Sequence, residues 1–357
     1  MLSSRRCSSN EFSRVLVRAT NWIGDAVMSL PALRAIRARY PKAHIAIQAR
    51  PWVADLYRRE RFANEVLALT AGRGMSDWHG KWQAARDLQA RRFDCAILLP
   101  NSFDAALLTW AAGIPTRIGY NRDGRGLLLT DPIRPPLSGE IPGHERFYYL
   151  ELLKRAGLTG GAVPDDSIYL DVAGEARASG LERFAEMGFR GAMIGVSPGA
   201  AYGSAKRWLP ERFAASAAGL AKELGAGVAL FGTAAEAPLC AAVALQIRSQ
   251  GVAVHDFAGQ TSLLEFIDLA AACGLHLTND SGAMHVSSAL HVPTVAMFGA
   301  TDHVGTGPFG TWTRVVIKPV HCSPCLLREC PIGHDCMTGI SVADVIQASR
   351  ELLAAGR

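Results

Sequence analysis

The sequence predicts an α/β protein of two doubly wound, Rossmann-like domains facing an interdomain cleft. Three observations predict it. Short apolar runs alternate with helical patterns along the whole chain. Those runs are continuously apolar rather than alternating, which marks parallel strands covered on both faces. The pattern also restarts near residue 191, and 357 residues is long for one core.

Taken in order, a polar tail, MLSSRRCSSNEF, precedes RVLVRA (14–19), which reads as a buried strand. NWIGD reads as a loop, and AVMSLPALRAIRARY (26–40) as a helix ending in basic residues, as the helix dipole favours. AHIAIQA (43–49) is the next strand; CAILLP (95–100) is another, followed by a helix over 102–112. TGGAVPDDSIYLDV (159–172), rich in Gly, Pro and Asp, reads as a linker. The second set runs strand 192–198, helix 210–225, strand 227–232, helix 235–250, strand 252–255, helix 262–273, strand 275–278, helix 282–290 and strand 293–298. The expected division is a first domain over 1–165, a second over 173–340 and a C-terminal helix over 341–357. In open α/β sheets ligands sit beyond the carboxyl ends of strands, so the loops after each strand are where chemistry is expected.

Composition narrows the classes. The chain is 49% hydrophobic and 19% charged, an ordinary globular balance. Residues 1–150 hold 22 Lys and Arg against 13 Asp and Glu, whereas the remainder holds 15 against 19. The first half thus presents a positive field to an acidic partner. Without a Lys run or an aromatic-interleaved basic helix, that partner is expected to be phosphate or carboxylate groups on a smaller ligand and not nucleic acid. No apolar core follows the N-terminal arginines, and no uninterrupted apolar stretch is long enough to span a bilayer. A cytosolic protein is expected. Neither domain carries G-x-G-x-x-G after its first strand, and no P-loop motif is present, which disfavours nicotinamide, flavin and P-loop enzymes.

Four corners hold the chemistry-bearing residues. Asp25, after Gly24, lies where the first strand gives way to a helix; it either caps that helix or serves as a carboxylate able to take a proton from a hydroxyl. SPGAAYGSAKRWLPERF (197–213) brings Lys206 and Arg207 just before a helix expected to begin at Pro210. Lys206 can meet a diphosphate there, or the pair can be a solvated loop; Trp208 reads as core. In FGTAAEAPLC, Glu236 either accepts ribose hydroxyls or favours the helix dipole. LTNDSGAMHVSSAL (277–290) places Asp280 to cap a helix. Ser281, Gly282 and Ala283 offer backbone N–H groups at the positive end, and His285 lies one turn in. Gly282 admits an anion to the backbone without a Cβ in the way. Asp, Ser, Gly and His on one corner, in the same domain as Lys206, point to a phosphate and sugar site.

NWIGDAVMSLPALRAI, GAAYGSAKRWLPERF, FGTAAEAPLC, AGQTSLLEFIDLAAAC, LTNDSGAMHVSSAL and CSPCLLRECPIGHDCM resemble, in order, the blocks of the ADP-heptose:lipopolysaccharide heptosyltransferase family, over about residues 14–345. The resemblance implies a GT-B glycosyltransferase with an acceptor-binding first domain and a donor-binding second. Its donor would be ADP-L-glycero-β-D-manno-heptose and its acceptor the first heptose of the Kdo-bearing lipid A inner core, at the cytoplasmic face of the inner membrane. It places the catalytic aspartate on Asp25, the phosphate-binding lysine on Lys206, the nucleotide-binding acid on Glu236, and the donor block on Asp280, Ser281, Gly282 and His285. Glu236 stands where the family often has a shorter Asp. Arg58, Arg59, Arg61, Arg122, Arg125 and Arg146 are the acceptor candidates among the basic residues of the first half, or they line solvated faces.

No cofactor and no catalytic metal are expected, because a diphosphate leaving group needs electrostatic support and one base rather than a general acid. Cys322, Cys325, Cys330 and Cys336, spaced C-x₂-C-x₄-C-x₅-C, are open between a structural zinc, reduced thiols and a disulfide. The competing readings are another transferase of the same family, a nucleotide-sugar-binding protein that would not need Asp25, and a nicotinamide oxidoreductase.

Overall fold

The computed structural model describes residues 11–72, 77–159 and 164–355. Residues 1–10 of the polar N-terminal tail, with Cys7, and residues 160–163 of the expected linker lie outside the described residues. The chain forms two compact units, Met1–Ser167 and Ile168–Arg357.

The first unit contains strands β1 (Arg14–Arg18), β2 (His44–Ala49), β3 (Glu65–Ala68), β4 (Cys95–Leu98), β5 (Thr116–Tyr120) and β6 (Asp131–Ile133). All pair in parallel in the order β3-β2-β1-β4-β5-β6. The second contains β7 (Met193–Ser197), β8 (Gly227–Leu230), β9 (Val254–Asp256), β10 (Leu275–Asn279), β11 (Thr294–Phe298) and β12 (Thr313–Ile317), again parallel, in the order β12-β11-β10-β7-β8-β9. Counted from its own first strand, each sheet has the same order, that of the dinucleotide-binding fold. The topological switch falls between β1 and β4 in one unit and between β7 and β10 in the other. In such sheets ligands bind at those points, beyond the loops that follow β1 and β4 in one unit and β7 and β10 in the other.

The expected helix over 26–40 is two helices, Ile23–Met28 and Leu30–Arg39. Pro31 has no N–H to continue a helical ladder, and Ser29 turns the chain with its hydroxyl donating 2.8 Å to the Ala26 carbonyl. The break starts the first helix inside the expected loop, so Asp25 lies in its first turn. In the second unit Trp208, Phe213, Val243, Ile247, Leu277 and Met297 pack one core. The C-terminal helix, Val342–Ala355, sets Val345 and Leu352 into that core. Helices Ala173–Glu186 and Leu263–Ala271 approach so closely that a Cβ on Gly180 would lie 2.0 Å from the Asp268 carbonyl oxygen. Among the described residues no helix is long and apolar enough to cross a membrane.

Candidate active site

In the second unit, β7 and β10 lie side by side, so the loops that follow them meet. Asn279, the last residue of β10, ties the two together. Its amide donates 2.8 Å to the Pro198 carbonyl, and its side-chain oxygen accepts from the Trp208 backbone N–H at 2.9 Å. Trp208 itself is core, with its indole N–H on the Ile340 carbonyl.

Held by this brace, Lys206 and Asp280 form an ion pair at 2.6 Å, their side chains 13% and 5% exposed. Asp280 therefore does not cap the following helix, as the sequence suggested. The N-cap is Ser281 and no side chain bonds the helix N-terminus. A carboxylate in a mostly buried corner is stabilised more by a cation than by one amide, and the Thr301 hydroxyl donates to the same Asp280 oxygen. An ammonium has three donors, one of which is directed at Asp280. The Tyr202 ring lies 4.8 Å from Lys206 Nζ and restricts its swing. Helix Gly282–Ala289 presents its first backbone N–H groups beside this cation, the arrangement that binds anions. His285 is buried in its first turns, 5% exposed, with its carbonyl accepting from Ser288 Oγ.

Glu236 is engaged in a capping box: its carboxylate accepts from the Thr233 N–H and hydroxyl, both at 2.9 Å. The Gly199 backbone passes so near that a Cβ there would lie 2.0 Å from Glu236 Oε1. Glu236 thus stands beside the loop after β7, in a helix-starting role.

The cysteine block lies against the same loop. The Arg328 carbonyl accepts from the Ala205 N–H at 3.0 Å, the Leu326 carbonyl from the Tyr202 hydroxyl at 2.8 Å, and a His334 ring nitrogen lies 3.0 Å from the Ala205 carbonyl. Burial pushes the Cys336 thiol up, reinforced by the neighbouring Cys322, Cys330 and Cys325. All four are free cysteines, and among the described residues no group of three or more His, Cys, Asp or Glu forms a metal-holding cluster.

In the first unit, Asp25 is half-buried in a helix whose N-cap, Trp22, makes no side-chain cap, so Asp25 does not serve as the N-cap. Its charge acts on Glu145, whose carboxyl is pushed up to about 7, by burial first and by Asp25 second, with Arg122 opposing. A second acid beside Asp25 went unread in the sequence, where HERF gave no sign of it.

The six arginines divide. Arg125 is fully buried; it donates to the Tyr120 carbonyl at 2.8 Å, to Asn101 Oδ1 at 3.1 Å and to the Pro100 carbonyl, and burial lowers its pKa to about 10. That network locks the loop after β5, so Arg125 is a structural residue in this fold. Arg146 pairs with Asp166 at 2.9 Å and Arg58 with Asp55 at 2.7 Å. Arg122 is held charged mainly by hydrogen bonding to Tyr148. Arg59 and Arg61 lie just beyond Arg58 in the segment between β2 and β3.

Paired doubly wound units with a cation and a helix N-terminus at the switch point of the second are the architecture of GT-B glycosyltransferases. The chain matches the structure of the E. coli ADP-heptose lipopolysaccharide heptosyltransferase II with a TM-score of 0.81 at 28% identity, covering 96% of this chain and 99% of that one. It is 33% identical over 306 residues to lipopolysaccharide heptosyltransferase 2 of Escherichia coli strain K12, covering 85% of this chain and 87% of that protein. It is 30% identical over 308 residues to lipooligosaccharide heptosyltransferase 2 of Haemophilus influenzae, covering 85% and 88%. Residues 81–335 match the model of glycosyltransferase family 9 (heptosyltransferase), and the chain belongs to that family.

Proposed function

We propose that the chain transfers L-glycero-D-manno-heptose from ADP-L-glycero-β-D-manno-heptose to the first heptose of the Kdo-bearing lipid A inner core, inverting the anomeric centre. The observation that carries this reading is the Lys206–Asp280 corner, a braced cation beside a helix N-terminus at the switch point of the second unit. The names of the relatives support ADP-heptose as the donor and lipopolysaccharide as the acceptor class.

The transition state at the anomeric carbon is oxocarbenium-like, so negative charge gathers on the departing ADP while the acceptor oxygen sheds a proton. Lys206 and the N–H groups of 282–284 stabilise the diphosphate, with Asp280 holding the ammonium in place. Asp25 takes the acceptor proton. Ser281, His285 and Glu236 line the donor side, and Arg58, Arg59, Arg61, Arg122 and Arg146 remain on the acceptor side. Contact with the cytoplasmic face of the inner membrane is peripheral, through the basic surface of the first unit.

The test is a donor panel: ADP-heptose against UDP- and GDP-sugars with a heptosyl-Kdo acceptor, reading nucleotide release and product mass. Heptosyl product from ADP-heptose alone supports the reading. Preferred use of a UDP- or GDP-sugar overturns it.

A further inference from the structure

The loops after β4 and β5 meet at the carboxyl edge of the first sheet, because those strands pair side by side. Asn101 stands in the first loop and Arg122 in the second, while Tyr148 lies in the first turn of helix Arg146–Arg155. A chain of hydrogen bonds joins the three. It starts at the buried Arg125, which donates to Asn101 Oδ1 at 3.1 Å. A guanidinium can only donate, so the Asn101 amide has one orientation here: its oxygen meets Arg125 and its NH₂ meets Tyr148. That NH₂ donates 2.8 Å to the Tyr148 phenol oxygen. The same phenol bonds the Arg122 guanidinium, again an obligate donor, so Tyr148 is the acceptor in both contacts.

Tyr148 is itself locked. Its ring centroid lies 4.4 Å from that of Tyr120 and 6.0 Å from that of Tyr149, and its backbone carbonyl accepts from the Tyr120 hydroxyl at 2.7 Å. The Arg122 backbone is fixed too: its N–H donates 3.0 Å to the Tyr120 carbonyl, and its carbonyl accepts from the Arg125 N–H at 3.2 Å. Arg122 is thus held at its backbone and at its guanidinium, although the residue is exposed. A fold gains little from bonding an exposed arginine to a phenol, since water serves that arginine nearly as well. What the arrangement does remove is side-chain freedom that a ligand would otherwise have to freeze. Among the acceptor candidates, Arg58 and Arg146 pair with carboxylates, whereas the hydrogen bond from Arg122 goes to a neutral phenol. Asp123 and Glu145 act on Arg122 through their charges, and Asp25 acts on Glu145. The fixed guanidinium therefore lies within electrostatic reach of a group that feels Asp25.

We propose that Tyr148 is a positioning residue for acceptor binding: its phenol oxygen, braced by Asn101 and Arg125, holds the Arg122 guanidinium ready for an acidic group, carboxylate or phosphate, of the acceptor. The proposal rests on the acceptor side of the reading above and adds the residues that orient its arginine.

The test is a double-mutant cycle on Tyr148→Phe, Arg122→Gln and the two together, each checked by thermal melting. Tyr148→Phe keeps the ring on Tyr120 and deletes only the hydroxyl. Losing a hydrogen bond to a charged group is expected to raise the acceptor KM about 10-fold in Tyr148→Phe and about 10–100-fold in Arg122→Gln. The loss appears in KM rather than in turnover at saturating acceptor, and ADP affinity by calorimetry is unchanged. The double variant should show the Arg122→Gln KM and no more, because Tyr148 acts through Arg122. A folded Tyr148→Phe protein with the wild-type KM, or two effects that multiply in the double variant, overturns the proposal. If Tyr148→Phe does not fold, Arg122→Lys takes its place. Its ammonium keeps the charge but not the planar fork that bonds phenol and acid together, so a raised KM supports the proposal and a wild-type KM overturns it. Acceptor with methyl-esterified carboxylates and acceptor with its phosphates removed tell which acid is held. Wild type loses affinity for the one lacking that group, and Arg122→Gln no longer distinguishes it from the intact acceptor. A wild-type KM unchanged by both modifications overturns the proposal and leaves the transferase reading standing. If wild type transfers no heptose, that reading fails instead. Calorimetry with free Kdo and with inorganic phosphate then tests the residues alone: binding weakened in both single variants supports the proposal, and no binding to wild type, or equal binding in all, overturns it.

Discussion

Lys206 and Asp280 lie 74 positions apart, and each alone reads as an ordinary polar residue on a loop. Their pairing at 2.6 Å makes the corner. Lys206→Ala removes a charge-assisted contact to a diphosphate, so ADP affinity by calorimetry is expected to fall about 10–100-fold. The same change leaves a 5% exposed carboxylate without its cation, so the melting temperature falls too, by an amount consistent with roughly 3–5 kcal/mol for breaking a buried pair. Unchanged ADP binding in a folded Lys206→Ala protein would remove Lys206 from the donor site. Glu145 gives a prediction of its own. Its folded pKa, about 7, lies above the ordinary 4.5, so between those values the folded chain keeps a proton that the unfolded chain has released. Its contribution to stability is full below about pH 4.5 and is lost as pH rises through 7. Glu145→Gln cannot ionise, and its melting temperature should gain on wild type across that window. A constant difference from pH 4 to 8 would contradict the assignment. His276 acts at the other end: burial lowers it from 6.5 to about 3, so its contribution is lost as pH falls below about 6.5.

Elements were more legible than contacts. Most strands read from sequence carry full apolar runs, and β1, β2, β4, β7, β8, β10 and β11 lie inside their sheets; β9, also read, is a short edge strand. The unread β3, β6 and β12 are edge strands, with half-exposed patterns such as EVLA and DPI that carry too little apolar signal. β5 is internal, but TRIGY opens on Thr and Arg and so resembles a turn. At the site, glycine and polar residues after a strand were visible, because a helix start needs them. Their bonding partners were not, because register and loop packing choose them. Asp280 read as a cap and pairs with Lys206. Arg125, read among the acceptor candidates, is buried because the loop after β5 wraps it. Loop packing also yields a test. A Cβ on Gly203 would lie 2.1 Å from the Arg328 carbonyl, backbone against backbone. Gly203→Ala should therefore push the cysteine-bearing segment off the Lys206 loop, costing about 1–3 kcal/mol in melting experiments. ADP affinity should weaken with it. A variant as stable as wild type would show that the two segments are not closely packed.

At the scale of the whole molecule, the proposed function divides the work between two units of one topology. The second, with its helix N-terminus and lysine, suits a departing diphosphate. The first, richer in cations, suits an acidic acceptor and would supply Asp25 as the base. The chain's family membership and its 0.81 TM-score match to a heptosyltransferase II structure fit that division. In the proposed reaction one carboxylate, Asp25, draws the acceptor proton. The most direct test is the turnover of Asp25→Ala with saturating ADP-heptose and a heptosyl-Kdo acceptor, set beside its ADP affinity. Turnover reduced by roughly 10²–10⁴ with ADP binding intact is the predicted result. Heptose transfer at the wild-type rate would contradict it.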